Sequence, residues 1–162
     1  MGNVTVLSLR FVIAMVLAGS LFVQAVMMPL LWADLDDAPA GVRIPVVAIV
    51  VLGIVTVQVT AVCVWKLVTM VRRGTVFSDE AFRYVDVTFV AVVVASLLAF
   101  ALGVVLAPGE DVAPGIVLLI GGLGVCVAGV ALIVRVLRLL LAQAVARDAE
   151  AQRLRSELDE VI

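Results

Sequence analysis

The chain has 162 residues, of which 65% are hydrophobic and 15% are charged, and its formal net charge is −2. A soluble domain averages about 45–50% apolar and about 25% charged residues, so the composition excludes an ordinary soluble domain and indicates a membrane protein. The absence of histidine removes the usual acid–base group at neutral pH and the commonest metal ligand. Cys63 and Cys126 both lie in apolar runs and form no Cys-x-x-Cys pair, which argues against a thiol oxidoreductase.

Four long apolar runs predict four membrane-spanning helices, because each is long enough to cross a hydrocarbon core of about 30 Å. The predicted spans cover residues 6–31, 44–70, 85–107 and 115–137. We therefore predict an all-α fold, a four-helix transmembrane bundle with a cytoplasmic C-terminal helical extension, as a single domain over residues 1–162. The alternative, a signal peptide cleaved after Ala25, is disfavoured because the chain before Arg10 is poorly charged and the apolar run continues to Leu31.

The distribution of basic residues predicts the orientation of these spans. Ten of the eleven basic residues fall on one side of the spans, and only Arg43 falls on the other. The positive-inside rule then places both termini in the cytoplasm. The cytoplasmic segments are the middle loop (71–84) and the tail (138–162), and the outer segments are the loops 32–43 and 108–114. Arginine outnumbers lysine ten to one and Ala and Val abound, which suggests a GC-rich bacterial genome.

Small residues predict where helices approach each other closely. In the third span, small residues recur at every fourth position: Ala91, Ala95, Ala99 and Gly103. In the fourth span, two small residues are four positions apart: Gly124 and Ala128. Such a strip lets a neighbouring backbone approach. The strip serves helix packing either within the bundle or between two copies of the chain. The sequence does not decide between these two, so a homo-oligomer is one of the predicted alternatives.

The polar residues within the predicted spans include Gln24, Thr56, Gln58, Thr60 and Ser96. For Gln58 we predict a hydrogen bond across to another helix, since a polar side chain in hydrocarbon needs a partner. The alternative is that these five side chains line an internal cavity for a small molecule.

The middle loop contains the sequence Arg72-Arg73-Gly74-Thr75-Val76-Phe77-Ser78. Ser78 is a favourable N-cap, and acidic residues follow it in the first helical turn. A helix is therefore predicted to begin at Ser78 and to continue into the third span. Phe77 and Phe82 have the spacing of a hydrophobic staple.

The Arg-x-Gly-Thr-x-Phe-Ser stretch lies between the second and third of four spans, and the chain ends in Glu-Leu-Asp-Glu-Val-Ile. With these features it resembles the bacterial membrane family known as domain of unknown function 2975. The resemblance implies a four-helix inner-membrane protein of unassigned activity, often encoded beside a small helix-turn-helix regulator. No catalytic residues are described for that family, so the resemblance implies none here.

The tail shows apolar residues in a 4–3 spacing, at Leu137, Leu140, Ala144, Ala151, Leu154, Leu158 and Val161, interrupted by Arg147. This seam is typical of a coiled coil. A helix lying on the membrane surface is the alternative, although such helices prefer a strongly basic face.

These patterns predict a non-enzymatic regulatory or scaffolding protein that contacts a cytoplasmic protein, and the resemblance implies a small helix-turn-helix regulator as that partner. The predicted contact residues belong to the middle loop and the tail: Arg72, Arg73, Gly74, Thr75, Phe77, Ser78, Leu154, Leu158 and Val161. The alternative is a small-molecule or lipid-binding bundle, such as a transporter accessory or an immunity protein. We predict no catalytic residue, cofactor or metal site and no direct nucleic-acid binding. The predicted partners are the lipid bilayer, a cytoplasmic protein and a second copy of the chain.

Overall fold

The computed structural model describes residues 3–36, 39–73, 79–108 and 112–161; side chains are described for the same ranges except 3–5, 72, 73, 79 and 158–161. Within these ranges the chain is helical and contains no strand, so the all-α prediction is confirmed. The elements are α1 (Asn3–Phe22), a π-helical turn (Val23–Met27), α2 (Met28–Asp34), α3 (Ala40–Arg73), α4 (Asp79–Leu106) and α5 (Pro114–Val161).

Four helical segments of the described chain are long and apolar enough to cross a membrane. They are Val6–Asp34, Ala40–Val71, Glu80–Leu106 and Pro114–Glu157. At a rise of about 1.5 Å per residue, the shortest of them, with 27 residues, is about 40 Å long. Each segment therefore exceeds the hydrocarbon core of about 30 Å, and the chain is a multi-pass membrane protein.

The first span is interrupted by the π-helical turn. Pro29 follows this turn and lacks a backbone N–H, so it cannot donate the usual hydrogen bond to the carbonyl four residues earlier. Just before it, the Met28 N–H bonds to the Val23 carbonyl, five residues back. The wider turn accommodates the proline within a helix that continues to Asp34.

The helices pack in chain order. The most extensive contacts join α3 to α4 and α4 to α5, while α1 contacts α3 less extensively. Buried residues are mostly small, such as Ala61, Ala81 and Ala131, whereas Leu118 and Leu119 are 76% and 74% exposed. Small residues at helix interfaces and large apolar residues on the outside are what a lipid solvent favours.

The α4 and α5 helices approach each other closely at Gly124. A Cβ atom at this position would lie 3.3 Å from the Phe100 ring, so the absent side chain is what admits the ring. Beside it, the Ser96 hydroxyl donates a hydrogen bond to the Gly124 carbonyl oxygen over 2.9 Å. Gly103 lies next to Ile120 and the Val117 carbonyl, which extends the contact by nearly two helical turns.

Candidate functional site

A set of basic side chains, which we call the basic belt, lies at one end of the bundle: Arg10, Lys66, Arg83, Arg135 and Arg138. Arg10 Nη2 donates to Thr69 Oγ1 over 3.0 Å and connects α1 to α3. Its guanidinium also lies 5.5 Å from the centroid of the Trp65 ring, at cation–π distance.

The belt also connects α4 to α5. Arg138 forms an ion pair with Asp86, in which Nη2 donates to Oδ2 over 2.7 Å. One turn earlier on α5, the Arg135 guanidinium lies 5.6 Å from the centroid of the Phe89 ring. Both contacts hold the helix ends at the same level as the Arg10–Thr69 pair.

The opposite end of the bundle carries a matching aromatic and ionic contact. Arg43 Nη1 donates to Asp36 Oδ1 over 2.6 Å, and its guanidinium lies 4.0 Å from the Trp32 ring centroid. Arg10 and Trp32 are 22 residues apart along the first span, which corresponds to about 33 Å. This separation matches the hydrocarbon core, so the two clusters mark the two bilayer interfaces.

The tail continues α5 beyond the basic belt. From Arg138 to Val161 the helix adds about 35 Å. Every described side chain from Ala146 to Glu157 is exposed. The polar contacts there are local, such as Arg153 Nε to Glu157 Oε1 over 3.2 Å. The seam residues Leu140 and Leu154 are 56% and 55% exposed, so the bundle does not cover either of them.

Not all predicted contact residues lie within the described structure. Gly74, Thr75, Phe77 and Ser78 are outside the described residues, and so are the side chains of Arg72, Arg73, Leu158 and Val161. Their positions along the chain are nevertheless informative. The loop joins the end of α3 to the start of α4, which is the end of the bundle where Thr69, Asp86 and the start of the tail lie. The two predicted contact elements therefore share one membrane face.

The predicted packing residues differ in how far they are buried. Ala91, Gly103 and Gly124 are buried, while Ala95, Ala99 and Ala128 are partly buried. Ala91 and Ala95 also form the walls of clefts beside α4. The strip on α4 therefore faces more than one neighbour.

Gln58 bonds across to another helix, as predicted. Its Nε2 donates to Gln24 Oε1 over 2.9 Å and to Ser20 Oγ over 3.2 Å, which links α3 to α1. The other polar residues bond to backbone carbonyls: Thr56 to Gly53 over 2.7 Å, Thr60 to Thr56 over 2.8 Å.

All four spans border one open cleft of about 410 Å³, which Ile13, Thr60, Ala95 and Val127 line from one span each. Thr56 also lines it, whereas Gln24, Gln58 and Ser96 do not. The alternative prediction of a shared polar cavity is therefore wrong for these three residues, because each of them is drawn to a partner elsewhere. The two threonine hydroxyl donors are used by backbone carbonyls, so the cavity is apolar.

The contacts within the two interfacial clusters were not predicted from the sequence. The sequence contains a signal for the pairing of Asp86. This acidic residue lies at the start of the third span, on the same side as the basic residues that end the fourth span. The contact of Trp32 with Arg43 depends on how the chain turns back from α2 toward α3.

Comparison with known proteins gives a family but no activity. Among curated proteins and among solved structures, no match to the chain was found. The family described as "Protein of unknown function (DUF2975)" matches residues 30–162. The matched region begins within α2 and includes the last three spans, the middle loop and the tail. Since this is most of the chain, the protein belongs to the DUF2975 family.

Proposed function

We propose that this protein is a non-enzymatic membrane anchor that holds a cytoplasmic protein at the membrane through its tail and middle loop. The observation that carries the proposal is the projecting helix at the end of α5. It extends about 35 Å beyond the basic belt, and the described part of its apolar seam is exposed. An exposed apolar stripe on a projecting helix fits recognition by a groove or by another helix.

The placement of charge supports the orientation that this function needs. Ten of the eleven basic residues belong to the belt, the middle loop and the tail. In a bacterial inner membrane this excess favours the cytoplasmic face for all three. The tail would then meet cytoplasmic proteins, and the middle loop would lie beside its base.

The charge of the tail favours a protein partner over the membrane surface. From Ala146 to Ile162 there are three basic and five acidic residues, a net charge of −2. Anionic lipid headgroups repel such a segment, whereas a basic protein surface attracts it. Small helix-turn-helix regulators carry a basic face for phosphate contacts. The family resemblance therefore agrees with the charge in favouring a regulator of this kind.

A capture experiment tests the proposal. The full-length protein and a chain ending at Gln143 are purified from host membranes, and bound proteins are identified by mass spectrometry. Leu154→Glu places a charge on the seam, and Ala149→Glu places the same charge on another exposed face. We expect the full-length and Ala149→Glu proteins to retain a small DNA-binding protein that the other two lose. The proposal is contradicted if all four proteins capture the same set.

The second candidate function is an apolar ligand-binding bundle, which the apolar cleft of about 410 Å³ between the four spans favours. Val130→Phe, on the cavity wall, should then reduce the amount of hydrophobic small molecule that co-purifies with the protein. Leu132→Phe is the control, because Leu132 is 67% exposed and lies outside the cavity lining. Equal amounts of co-purified ligand in both variants would exclude this candidate.

A further inference from the structure

A groove of about 390 Å³ lies between α3 and α4. Its wall on α4 is formed by residues spaced three or four apart, which lie on one face of the helix: Arg83, Asp86, Val87, Val90, Ala91 and Val94. Val55, Thr56 and Val59 form the wall on α3. The lining surface is apolar, and the two charged residues that border it, Arg83 and Asp86, lie at one end.

The length of this groove matches one leaflet of a bilayer. Arg83 and Val94 are eleven residues apart on α4, which corresponds to about 16 Å. Half of a hydrocarbon core of about 30 Å is about 15 Å. Because Asp86 belongs to the same interfacial level as Arg138 and Thr69, the charged end lies at the membrane interface and Val94 lies near the midplane.

Two ionisable residues, Arg83 and Asp86, belong to one end of the groove. The Asp86 carboxylate is already engaged by Arg138 on α5. Arg83 is exposed, and among the described residues it has no ion-pair partner. A guanidinium in this position is free to bind two oxygens of a phosphate group at once.

We propose that this groove binds one anionic phospholipid from the leaflet at the basic belt. An acyl chain lies along Val87, Val90 and Val94, and the headgroup phosphate accepts hydrogen bonds from the Arg83 guanidinium. The apolar wall selects a lipid over a soluble anion, and the unpaired cation selects an anionic headgroup over a neutral one. This site shares only Arg83 with the middle loop of the proposed protein-binding surface; its other residues lie on the spans, and its test measures lipid retention and not protein capture.

Native mass spectrometry of the full-length protein in detergent tests the site. The probes are dioleoyl phosphatidylglycerol and dioleoyl phosphatidylcholine, which have the same acyl chains and differ in headgroup charge. Arg83→Gln removes the cation, and Val90→Trp fills the groove. Two controls make the same changes elsewhere: Arg147→Gln on the exposed tail, and Leu118→Trp at a 76% exposed position of α5.

The wild-type protein and both controls are expected to retain phosphatidylglycerol about fivefold more tightly than phosphatidylcholine, the ratio expected for one basic residue near the surface. Arg83→Gln should remove this preference, and Val90→Trp should weaken the retention of both lipids. Equal retention of the two lipids by the wild-type protein overturns the proposal. An Arg83→Gln protein that keeps the preference also overturns it, as does a Val90→Trp protein that binds like Leu118→Trp.

Discussion

Gln58 on α3 and Gln24 in the π-helical turn of the first span are joined by a part-buried hydrogen bond of 2.9 Å. Both carboxamides lie in segments that cross hydrocarbon, where an unpaired polar group is costly. The α1 helix contacts α3 less extensively than α4 does. The pair therefore helps to fix how the first span, most of which precedes the family match at residue 30, sits against the rest of the molecule.

Replacing Gln58 with Leu should lower the free energy of unfolding by about 1 kcal/mol. The substitution removes two inter-helix hydrogen bonds, to Gln24 and to Ser20, each worth about 0.6 kcal/mol in a membrane protein. Unfolding in mixed micelles of mild and denaturing detergent measures the change. Gln143→Leu, on the exposed part of α5, is the control and should leave the free energy of unfolding unchanged. Equal stabilities of the two variants would show that the Gln58 bonds contribute nothing.

Replacing Gly124 with Ala should destabilise the protein by about 1 kcal/mol, because the new methyl group would lie 3.3 Å from the Phe100 ring and force it to shift. Gly122→Ala is the matched control, since a Cβ atom there meets nothing within 4 Å. The melting temperature of the purified protein in detergent distinguishes the two. A Gly124→Ala protein as stable as Gly122→Ala would show that the ring moves freely.

The Arg138–Asp86 ion pair should contribute more to stability than the Arg153–Glu157 pair. The Arg138 and Asp86 side chains are 26% and 43% exposed, against 81% and 57% for the pair in the tail. We expect a coupling energy of about 1 kcal/mol for the first pair and at most about 0.5 kcal/mol for the second. Double-mutant cycles with Ala or Asn replacements, read by detergent unfolding, measure both. A larger coupling in the tail pair would contradict this ranking.

The orientation in the membrane can be tested with single cysteines. Cys63 and Cys126, which lie within spans, are first replaced with Ala. A membrane-impermeant maleimide should label Ala40→Cys in intact cells, whereas Ala151→Cys should be labelled only after permeabilisation of the inner membrane. This result follows if both termini are cytoplasmic. The reverse labelling pattern would show that the charge distribution does not set the orientation.

The helical fold was predictable because each span is a long apolar run, and crossing hydrocarbon leaves few structures other than a helix. The sequence also indicated that Gln58 needs a partner on another helix. It did not identify Gln24 as that partner, because the register between α1 and α3 depends on packing along both helices. The π-helical turn at Val23–Met27 is foreshadowed only by Pro29.

The cavities were less predictable than the helices. Thr56 and Thr60 suggested a polar interior, but a threonine in a helix can satisfy its hydroxyl by donating to a carbonyl of the preceding turn. The structure shows this arrangement for both residues, and the space beside them is apolar. The groove that ends at Arg83 depends on how α3 and α4 diverge, which no single-helix pattern reveals.

The continuity of α5 has a mechanical consequence. The helix that spans the membrane from Pro114 is the same helix that forms the tail to Val161, without a described break between them. Spanning helices tilt over a range of about 0–40°. A change of about 10° in the tilt of α5 would move the end of the tail by about 6 Å, given a lever of about 35 Å. A small rearrangement among the spans would thus become a displacement large enough for a bound protein to sense.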